Sequence, residues 1–295
     1  MSILSIENLR KDYGKVQALK GVSFDVPKGT VFGILGPNGS GKTTMLGIIT
    51  DILRPTSGSY RLFDEDPTEK HRNQIGTFLE TPNFYHYLSG ERNLRIAAAI
   101  KGRGAEDIPR VLEMVNLTQR KDSRFSTYSL GMKQRLAIAS CLLGNPEVMI
   151  LDEPTNGLDP VGIAEIRELI KRLHREGKTI IMASHLLDEV EKVCSHVAIL
   201  KKGTLVATGD VNEILVSEDV VEVGAADVPA LRAAIEKFDG PSQYKDNGNL
   251  VQLFFPVGTA DLERINQYCF SQGVVLNNLS LKKKSLESKF MELTN

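Results

Sequence analysis

The sequence contains no apolar run long enough to cross a membrane. A spanning helix needs about 18–20 consecutive apolar residues, and the most apolar stretches, Ile96–Ile100 and Val148–Leu151, are far shorter. The first residues, MSILSIENLR, also lack the basic flank and apolar core of a secretory signal. We therefore expect the protein by itself to be cytosolic, so that any role at a membrane requires a partner.

Cysteine is scarce, and neither sign of charge is in excess. Cys141, Cys194 and Cys269 lie far apart without paired spacing, which favours buried thiols in a reducing compartment over a disulfide or a metal site. The 36 basic and 37 acidic residues give a formal net charge of −1. Because a protein dedicated to DNA or RNA normally has a strong basic excess, this balance argues against nucleic-acid binding, although a local basic patch stays open.

Length and composition indicate a globular chain with two domains. Hydrophobic residues make up 41% and charged residues 25% of the 295 residues, and no internal repeat or low-complexity segment is present. We predict an α/β domain over residues 1–215, with a β-rich start, a parallel-sheet core and a helical subdomain over about 85–145. A small α+β accessory domain is expected over residues 216–295.

Residue patterns also predict individual elements. Thr30–Leu35 is a buried strand that runs into a glycine-rich turn, and the helix Lys42–Leu53 follows and ends before Pro55. A helix is predicted over Ile163–Arg175 and a hairpin turn at residues 201–204. In the accessory domain we predict strands and helices in the order β-α-β-α-β-α, at Val220–Val223, Val228–Phe238, Leu250–Pro256, Thr259–Gln272, Val274–Leu281 and Leu286–Leu293.

Residues 36–43, GPNGSGKT, fit the phosphate-binding loop pattern G-x-x-x-x-G-K-[ST], with the required strand before it and helix after it. Glycines let backbone N–H groups curl around the β- and γ-phosphates, and the helix N-terminus presents its positive end to the anion. We expect Lys42 to supply a point charge to the phosphate oxygens and the Thr43 hydroxyl to ligate Mg²⁺. The candidate nucleotide-binding residues here are Gly36, Pro37, Asn38, Gly39, Ser40, Gly41, Lys42, Thr43 and Thr44.

Two carboxylates at the end of an apolar strand complete the candidate site. Asp152 and Glu153 follow Val148–Leu151 directly. A strand end would hold Asp152 beside the phosphate loop, where it can bind Mg²⁺ directly or through water, while Glu153 points elsewhere and can polarise the attacking water. The alternative is a pair of solvated strand-end charges, which the following segment, Pro154–Pro160, disfavours.

The segment DEPTNGLDP at 152–160, followed by ASH at 183–185, resembles the ATPases of ABC transporters, and the motifs come in the family order between about Ser5 and Asp210. The resemblance implies a P-loop ABC ATPase cassette in which Tyr13 stacks on adenine and Asp159 communicates between two ATP sites. It also implies that His185 contacts the γ-phosphate as a catalytic residue beside Glu153. Taken singly, Tyr13 also fits a core ring and His185 a strand-end histidine.

The family signature, normally LSGGQ at the start of a helix, reads YSLGM at 128–132. Ser129 and Gly131 are retained and are expected to touch phosphate through a hydroxyl and a backbone N–H group. Leu130 and Met132 depart from the family pattern. Because the signature serves the ATP of the opposite subunit in this family, the resemblance implies a head-to-tail homodimer with two equivalent sites.

A second departure is Glu80, which stands where the family usually has glutamine, in the loop between Mg²⁺ and the permease. Glu80 joins Thr43 and Asp152 as an expected metal residue, with an outward position toward permease or solvent as the alternative. This glutamate and the altered signature resemble the bacitracin-resistance and lantibiotic-immunity transporter ATPases. The accessory domain resembles the C-terminal extension of many export ATPases, which implies an exporter motor.

The resemblance implies ATP and Mg²⁺ as cofactors, a transmembrane permease and a second copy of the chain as partners, and a peripheral place on the cytoplasmic side of the membrane. The competing hypothesis is a soluble ABC ATPase of translation or nucleic-acid maintenance. Such proteins carry two cassettes or long coiled coils, whereas this sequence has one cassette and no heptads. The accessory domain is expected to be regulatory, dimerising or stabilising, and these alternatives stay open.

Overall fold

The computed structural model describes residues 1–79, 83–215, 219–256 and 258–282, together with Leu286 and Phe290. Within this part of the chain two compact units separate. The first is Met1–Asp210 and the second begins at Val211. The functional division between an ATPase domain and an accessory domain stays a prediction.

Two sheets share the core of the first unit. Its strands are β1 (Ser2–Tyr13), β2 (Val16–Pro27), β3 (Val31–Leu35), β4 (Ser57–Leu62), β5 (Ile75–Phe78), β6 (Val148–Asp152), β7 (Thr179–Ser184), β8 (His196–Lys201) and β9 (Thr204–Asp210). The smaller sheet is antiparallel with the order β2-β1-β4. Phe24 of β2 stacks on Phe32 of β3 with ring centroids 5.3 Å apart, so the two sheets enclose one apolar core.

The larger sheet positions the candidate site. Its order is β5-β6-β7-β3-β8-β9, and all neighbouring strands are parallel except β8 and β9. Every residue of β3, β6 and β7 is buried, as expected for strands covered on both faces. The carboxyl ends of β6, β7 and β3 therefore lie side by side at one edge of the sheet, and the loops after them are neighbours.

Helices of the first unit mostly follow the predicted pattern, with two corrections at their ends. They are α1 (Lys42–Ile49), α2 (Glu69–Asn73), α3 (Gly90–Lys101), α4 (Ile108–Met114), α5 (Leu130–Leu142), α6 (Pro160–Arg175) and α7 (Leu187–Val193). The predicted end of α1 at Leu53 is wrong, because Asp51 takes a left-handed conformation with φ 64° and stops the helix. The predicted start of α6 is three residues late, because Asp159 caps the helix and Pro160 occupies its first position.

The second unit is a four-stranded antiparallel sheet with helices packed on one face. Its elements are α8 (Val211–Leu215), β10 (Asp219–Ala225), α9 (Val228–Ile235), β11 (Gln243–Asn247), β12 (Leu250–Phe255), α10 (Leu262–Ser271) and β13 (Leu276–Lys282). The strand order is β11-β12-β10-β13. From β10 onward the elements follow β-α-β-β-α-β, a split β-α-β arrangement.

The predicted order of elements in this unit is wrong at β11. All five residues of that strand are exposed and none gives an apolar alternation, so the sequence carries no strand signal there. The strand exists because a tight turn at Gly248, with φ 64°, folds it back against β12. The predicted final helix, Leu286–Leu293, lies outside the described residues except for Leu286 and Phe290.

The sequence predicted that the chain has no membrane-spanning helix and that its three cysteines are buried thiols. Among the residues that the structure describes, no helix combines the length and the apolar character that crossing a bilayer requires. The three cysteines are buried. Burial raises the pKa of the Cys141 thiol to about 12 and also raises the pKa of the Cys194 thiol. These two thiols therefore stay protonated near neutral pH and pack as small apolar side chains.

Candidate nucleotide-binding site

The phosphate loop links the end of β3 to the start of α1. Gly41 precedes the helix in a left-handed conformation with φ 105°, and a Cβ at this position would come within 2.6 Å of the Ala18 carbonyl oxygen. Only glycine fits there without strain. Gly41 provides no side-chain cap, so the first N–H groups of α1 face the loop without a protein acceptor from the cap residue. Such a helix start is suited to bind an anion.

Lys42 is folded back over the loop. Its side chain is buried, and Nζ donates hydrogen bonds to the Gly36 carbonyl oxygen at 2.7 Å and to that of Pro37 at 3.4 Å. The same ammonium group lies 3.4 Å from Glu153 Oε1. Lys42 therefore connects the phosphate loop to the predicted catalytic carboxylate, Glu153. The two residues are 111 positions apart, so no local sequence pattern predicts their contact.

Thr43 and Asp152 are in direct contact. Thr43 Oγ1 donates a hydrogen bond of 2.9 Å to Asp152 Oδ2, and Asp152 is buried at the end of β6. A Mg²⁺ ion prefers hard oxygen ligands, keeps several waters and is usually bound through one or two protein groups plus substrate phosphates. A hydroxyl and a carboxylate in contact at the phosphate loop fit that requirement. In the described part of the chain no three His, Cys, Asp or Glu side chains gather to form an all-protein metal cage.

Glu153 bridges two predicted site residues. Its Oε2 lies 2.9 Å from His185 Nδ1, while its Oε1 faces Lys42. The backbone of Glu153 has φ 50°, an uncommon value for a residue with a side chain, and its N–H group donates to the Ala183 carbonyl oxygen at 3.0 Å. The two adjacent carboxylates have different partners, Thr43 for Asp152 and Lys42 and His185 for Glu153, and the sequence did not predict the contact with His185.

A cleft of about 700 Å³ runs from the phosphate loop to the hairpin between β1 and β2. Tyr13 lies at the hairpin end with 47% of its surface exposed, so it is not a core ring. Of the predicted residues, those lining the cleft are Tyr13, Asn38, Gly39, Ser40, Gly41, Lys42, Thr43, Thr44 and Glu153. Six further residues line it that the sequence did not single out: Lys15, Val16, Gln17, Ala18, Lys20 and Lys202.

The signature residues do not line this cleft. Ser129 caps α5, its hydroxyl accepting from the Met132 N–H group at 3.3 Å, and Gly131 lies in the first turn of that helix. Leu130 packs toward Gly157, where a Cβ would come within 3.1 Å of Leu130 Cδ2. Within one chain, the signature therefore belongs to a second surface, shared with the segment that follows Glu153.

Asp159 and Glu80 are the two other residues that the sequence predicted to belong to the site. Asp159 caps α6, with Oδ1 accepting from the Gly162 N–H group at 2.7 Å, and it does not line the cleft. Glu80 lies outside the described residues, so its expected place beside the metal stays a prediction.

The chain is similar to ATP-binding proteins of transporters over its whole length. A sequence profile of the family described as ABC transporter matches residues 19–156. YhcH of Bacillus subtilis (strain 168), described as an uncharacterized ABC transporter ATP-binding protein, is 36% identical over 299 residues, covering 99% of this chain and 96% of its own length.

Two further relatives carry more specific names. The bacitracin transport ATP-binding protein BcrA of Enterococcus faecalis is 41% identical over 217 residues, covering 72% of this chain and 70% of its own. The lantibiotic transport ATP-binding protein SrtF of Streptococcus pyogenes is 39% identical over 204 residues, covering 69% and 89%. Among solved structures, an ATP-binding cassette in a dimeric post-hydrolysis state with ADP and Pi matches with a TM-score of 0.62 and 27% identity, covering 70% of this chain and 98% of that chain.

Proposed function

The chain belongs to the ATP-binding subunits of ABC transporters and is an ATP-hydrolysing cassette of that family; from this premise we propose that it works with Mg²⁺, as one of two identical copies, to drive export through a separate transmembrane permease. The observation that carries the proposal is the meeting of the phosphate loop with both strand-end carboxylates. Thr43 Oγ1 contacts Asp152 at 2.9 Å, and Lys42 Nζ faces Glu153 at 3.4 Å.

Phosphate binding is assigned to the loop and the helix start. The N–H groups of Gly39 to Thr44 and the Lys42 ammonium group surround the β- and γ-phosphates in this proposal. Thr43 and Asp152 would hold Mg²⁺, with Glu80 as a third expected oxygen ligand. There the ion would supply positive charge that offsets the charge of the terminal phosphates. On nucleotide binding, Lys42 exchanges Glu153 for phosphate oxygens as its charged partner.

Water activation is assigned to Glu153. Its carboxylate accepts a proton from the water that attacks the γ-phosphate. His185, whose Nδ1 lies 2.9 Å from Glu153 Oε2, is proposed to orient that carboxylate and to contact the γ-phosphate. The same carboxylate lies 3.4 Å from Lys42 Nζ, so its two oxygens have separate partners.

A second copy of the chain is required to complete each site. Ser129 and Gly131 lie away from the cleft of their own chain, and they present a helix N-terminus that suits a phosphate. In a head-to-tail dimer, the signature of one copy would cover the ATP bound by its partner, and Asp159 would lie near the junction. Each chain therefore supplies half of two equivalent sites.

The dimer has a direct test. Glu153→Gln should hold ATP without cleaving it, so ATP with Mg²⁺ should double the molar mass measured by light scattering, whereas ADP should leave a monomer. Adding Ser129→Arg to the same variant places a bulky cation at the signature and should abolish the doubling. A molar mass that ATP does not change, at concentrations that saturate the site, would contradict the shared-site arrangement.

Tyr13 is proposed to stack on the adenine ring. Replacing Tyr13 with alanine should weaken ATP binding by about 1 kcal/mol, about fivefold in Kd, because one aromatic partner is lost. Tyr13→Phe keeps the ring and is the matched control, expected to bind ATP like the unaltered chain. Calorimetric titration with ATP and GTP measures both. A loss confined to GTP would show that the ring recognises something other than a stacked base.

The last part of the proposal concerns what the complex transports and in which direction. Relatives named for bacitracin and lantibiotic transport favour a peptide antibiotic as the cargo and an exporter as the complex. The chain would then sit on the cytoplasmic side of the membrane, held there by the permease. Co-purification of the tagged chain with a polytopic protein from detergent-solubilised membranes tests this. Co-purification with ribosomes instead would favour the competing translation role.

A further inference from the structure

The turn between β8 and β9 carries a lysine in an unfavourable backbone conformation. The two-residue turn is Lys202-Gly203, with φ 49° and φ 82°, the left-handed pair of a type I′ hairpin turn. Asparagine, aspartate or glycine is preferred at its first position, and a residue with a longer side chain is disfavoured there by about 1 kcal/mol. Such a departure from the local preference points to a use for the lysine side chain outside the turn.

Backbone contacts fix this turn against the phosphate loop. The Gly203 N–H group donates to the Ser40 carbonyl oxygen at 3.0 Å, and the Gly203 carbonyl oxygen accepts from the Lys20 N–H group at 2.8 Å. A Cβ at Gly203 would lie 2.6 Å from the Ala18 carbonyl oxygen. Because the turn, the start of β2 and the loop are in backbone contact, Lys202 is positioned at the cleft by rigid neighbours.

Three lysines share this side of the cleft. Lys15, Lys20 and Lys202 all line it and are exposed. The ion pairs found among the described residues involve none of these three side chains. The carboxylate in the cleft lining, Glu153, is already engaged with Lys42 and His185. The cleft therefore has uncompensated positive charge beside Ser40, on the β2 side of the loop.

The position of this charge indicates which phosphate it meets. Lys42 Nζ lies on the Gly36 and Glu153 side of the loop, where the terminal phosphates are proposed to bind. Tyr13 marks the base end of the cleft. A nucleotide that extends between these two ends would place its α-phosphate next to the Lys202-Gly203 turn, which is hydrogen-bonded to Ser40.

We propose that Lys202 is a nucleotide-binding residue that contacts the α-phosphate of ATP and ADP, with Lys20 and Lys15 adding to the positive field. The inference rests on the proposed nucleotide site and extends it to a turn beyond the residues matched by the family profile. It assigns Lys202 to the α-phosphate, which ATP and ADP share, whereas Lys42 is assigned to the β- and γ-phosphates.

Lys202→Asn tests the contact without harming the turn, because asparagine is favoured at this left-handed position. We expect Kd for both ATP and ADP to rise by the same factor, about 2- to 5-fold at about 50 mM salt, since both nucleotides carry the α-phosphate and Lys202 is exposed. The increase should shrink at about 500 mM salt, where exposed charges are screened. Calorimetric titration of the full chain with each nucleotide in the presence of Mg²⁺ gives both values.

Two variants serve as controls. Lys202→Arg keeps the charge and should bind ATP and ADP within about twofold of the unaltered chain. Lys245→Asn removes an exposed lysine from β11 of the second unit, with the same change in net charge, and should have no effect on either Kd. Thermal unfolding of Lys202→Asn should occur at or above the temperature of the unaltered chain.

Each contrary result has a distinct meaning. Unchanged Kd values for Lys202→Asn would overturn the contact, and a loss for ATP but not for ADP would overturn its assignment to the α-phosphate. An equal rise in Kd for Lys245→Asn would show that the effect comes from net charge alone, and this result would also overturn the proposed contact. If the unaltered chain binds neither nucleotide, the proposed function itself fails.

Discussion

Replacing Glu153 with glutamine will leave ATP bound and lower its hydrolysis by about 10²–10⁴-fold, the usual contribution of a positioned general base. Glutamine has nearly the same shape as glutamate, so the packing of the strand end is kept, but the amide cannot accept the proton of the attacking water. Phosphate release measures the loss, and nucleotide titration shows that binding persists.

Glu147→Gln is a matched control for that variant. Glu147 immediately precedes β6, at the opposite end of the strand from Glu153, and its carboxylate pairs with Lys28 at 2.5 Å. Glu147→Gln removes one carboxylate charge beside the opposite end of β6, where Glu147 does not line the cleft, and should leave hydrolysis unchanged. Wild-type turnover in Glu153→Gln, with Glu147→Gln equally active, would remove Glu153 from the chemistry.

Replacing Lys42 with alanine will weaken ATP binding by about 2–3 kcal/mol, about 30- to 150-fold in Kd, because a charge-assisted contact to phosphate is lost. Lys42 is 6% exposed, so solvent screens that contact little. Alanine also leaves the Gly36 carbonyl oxygen without its present donor, which lowers stability to some extent. Calorimetry gives the affinity, and thermal unfolding without nucleotide gives the stability.

Lys178→Ala separates these two effects. Lys178 is 7% exposed and donates to the Pro146 carbonyl oxygen at 2.7 Å and to Asn145 Oδ1 at 3.0 Å, so it is a second buried ammonium group held by protein oxygens. Its loss should lower the unfolding temperature without changing ATP affinity. Equal losses of affinity in Lys42→Ala and Lys178→Ala would trace the effect to the fold and refute the phosphate contact.

Patterns in contiguous residues were sufficient for much of the fold. The phosphate loop is recognisable because eight successive residues supply the glycines, the lysine and the hydroxyl that one turn requires. The sequence predicted buried strands at Thr30–Leu35 and Val148–Leu151, and both are confirmed as β3 and β6. The end of α1 was not predicted correctly, because the helix stops at Asp51, which is in a left-handed conformation. Strand β11 was missed because all of its residues are exposed and show no apolar alternation.

By itself the sequence determined the family, the mixed α/β architecture and the set of candidate residues, because each depends on local spacing. Only the tertiary structure decided which of those residues meet. Lys42 faces Glu153, Thr43 contacts Asp152 and Lys202 reaches the cleft because β6, β7, β3 and β8 lie side by side. Strand order results from long-range pairing of apolar strands that are chemically similar. The residue pattern of one strand therefore does not identify the strands that pair with it.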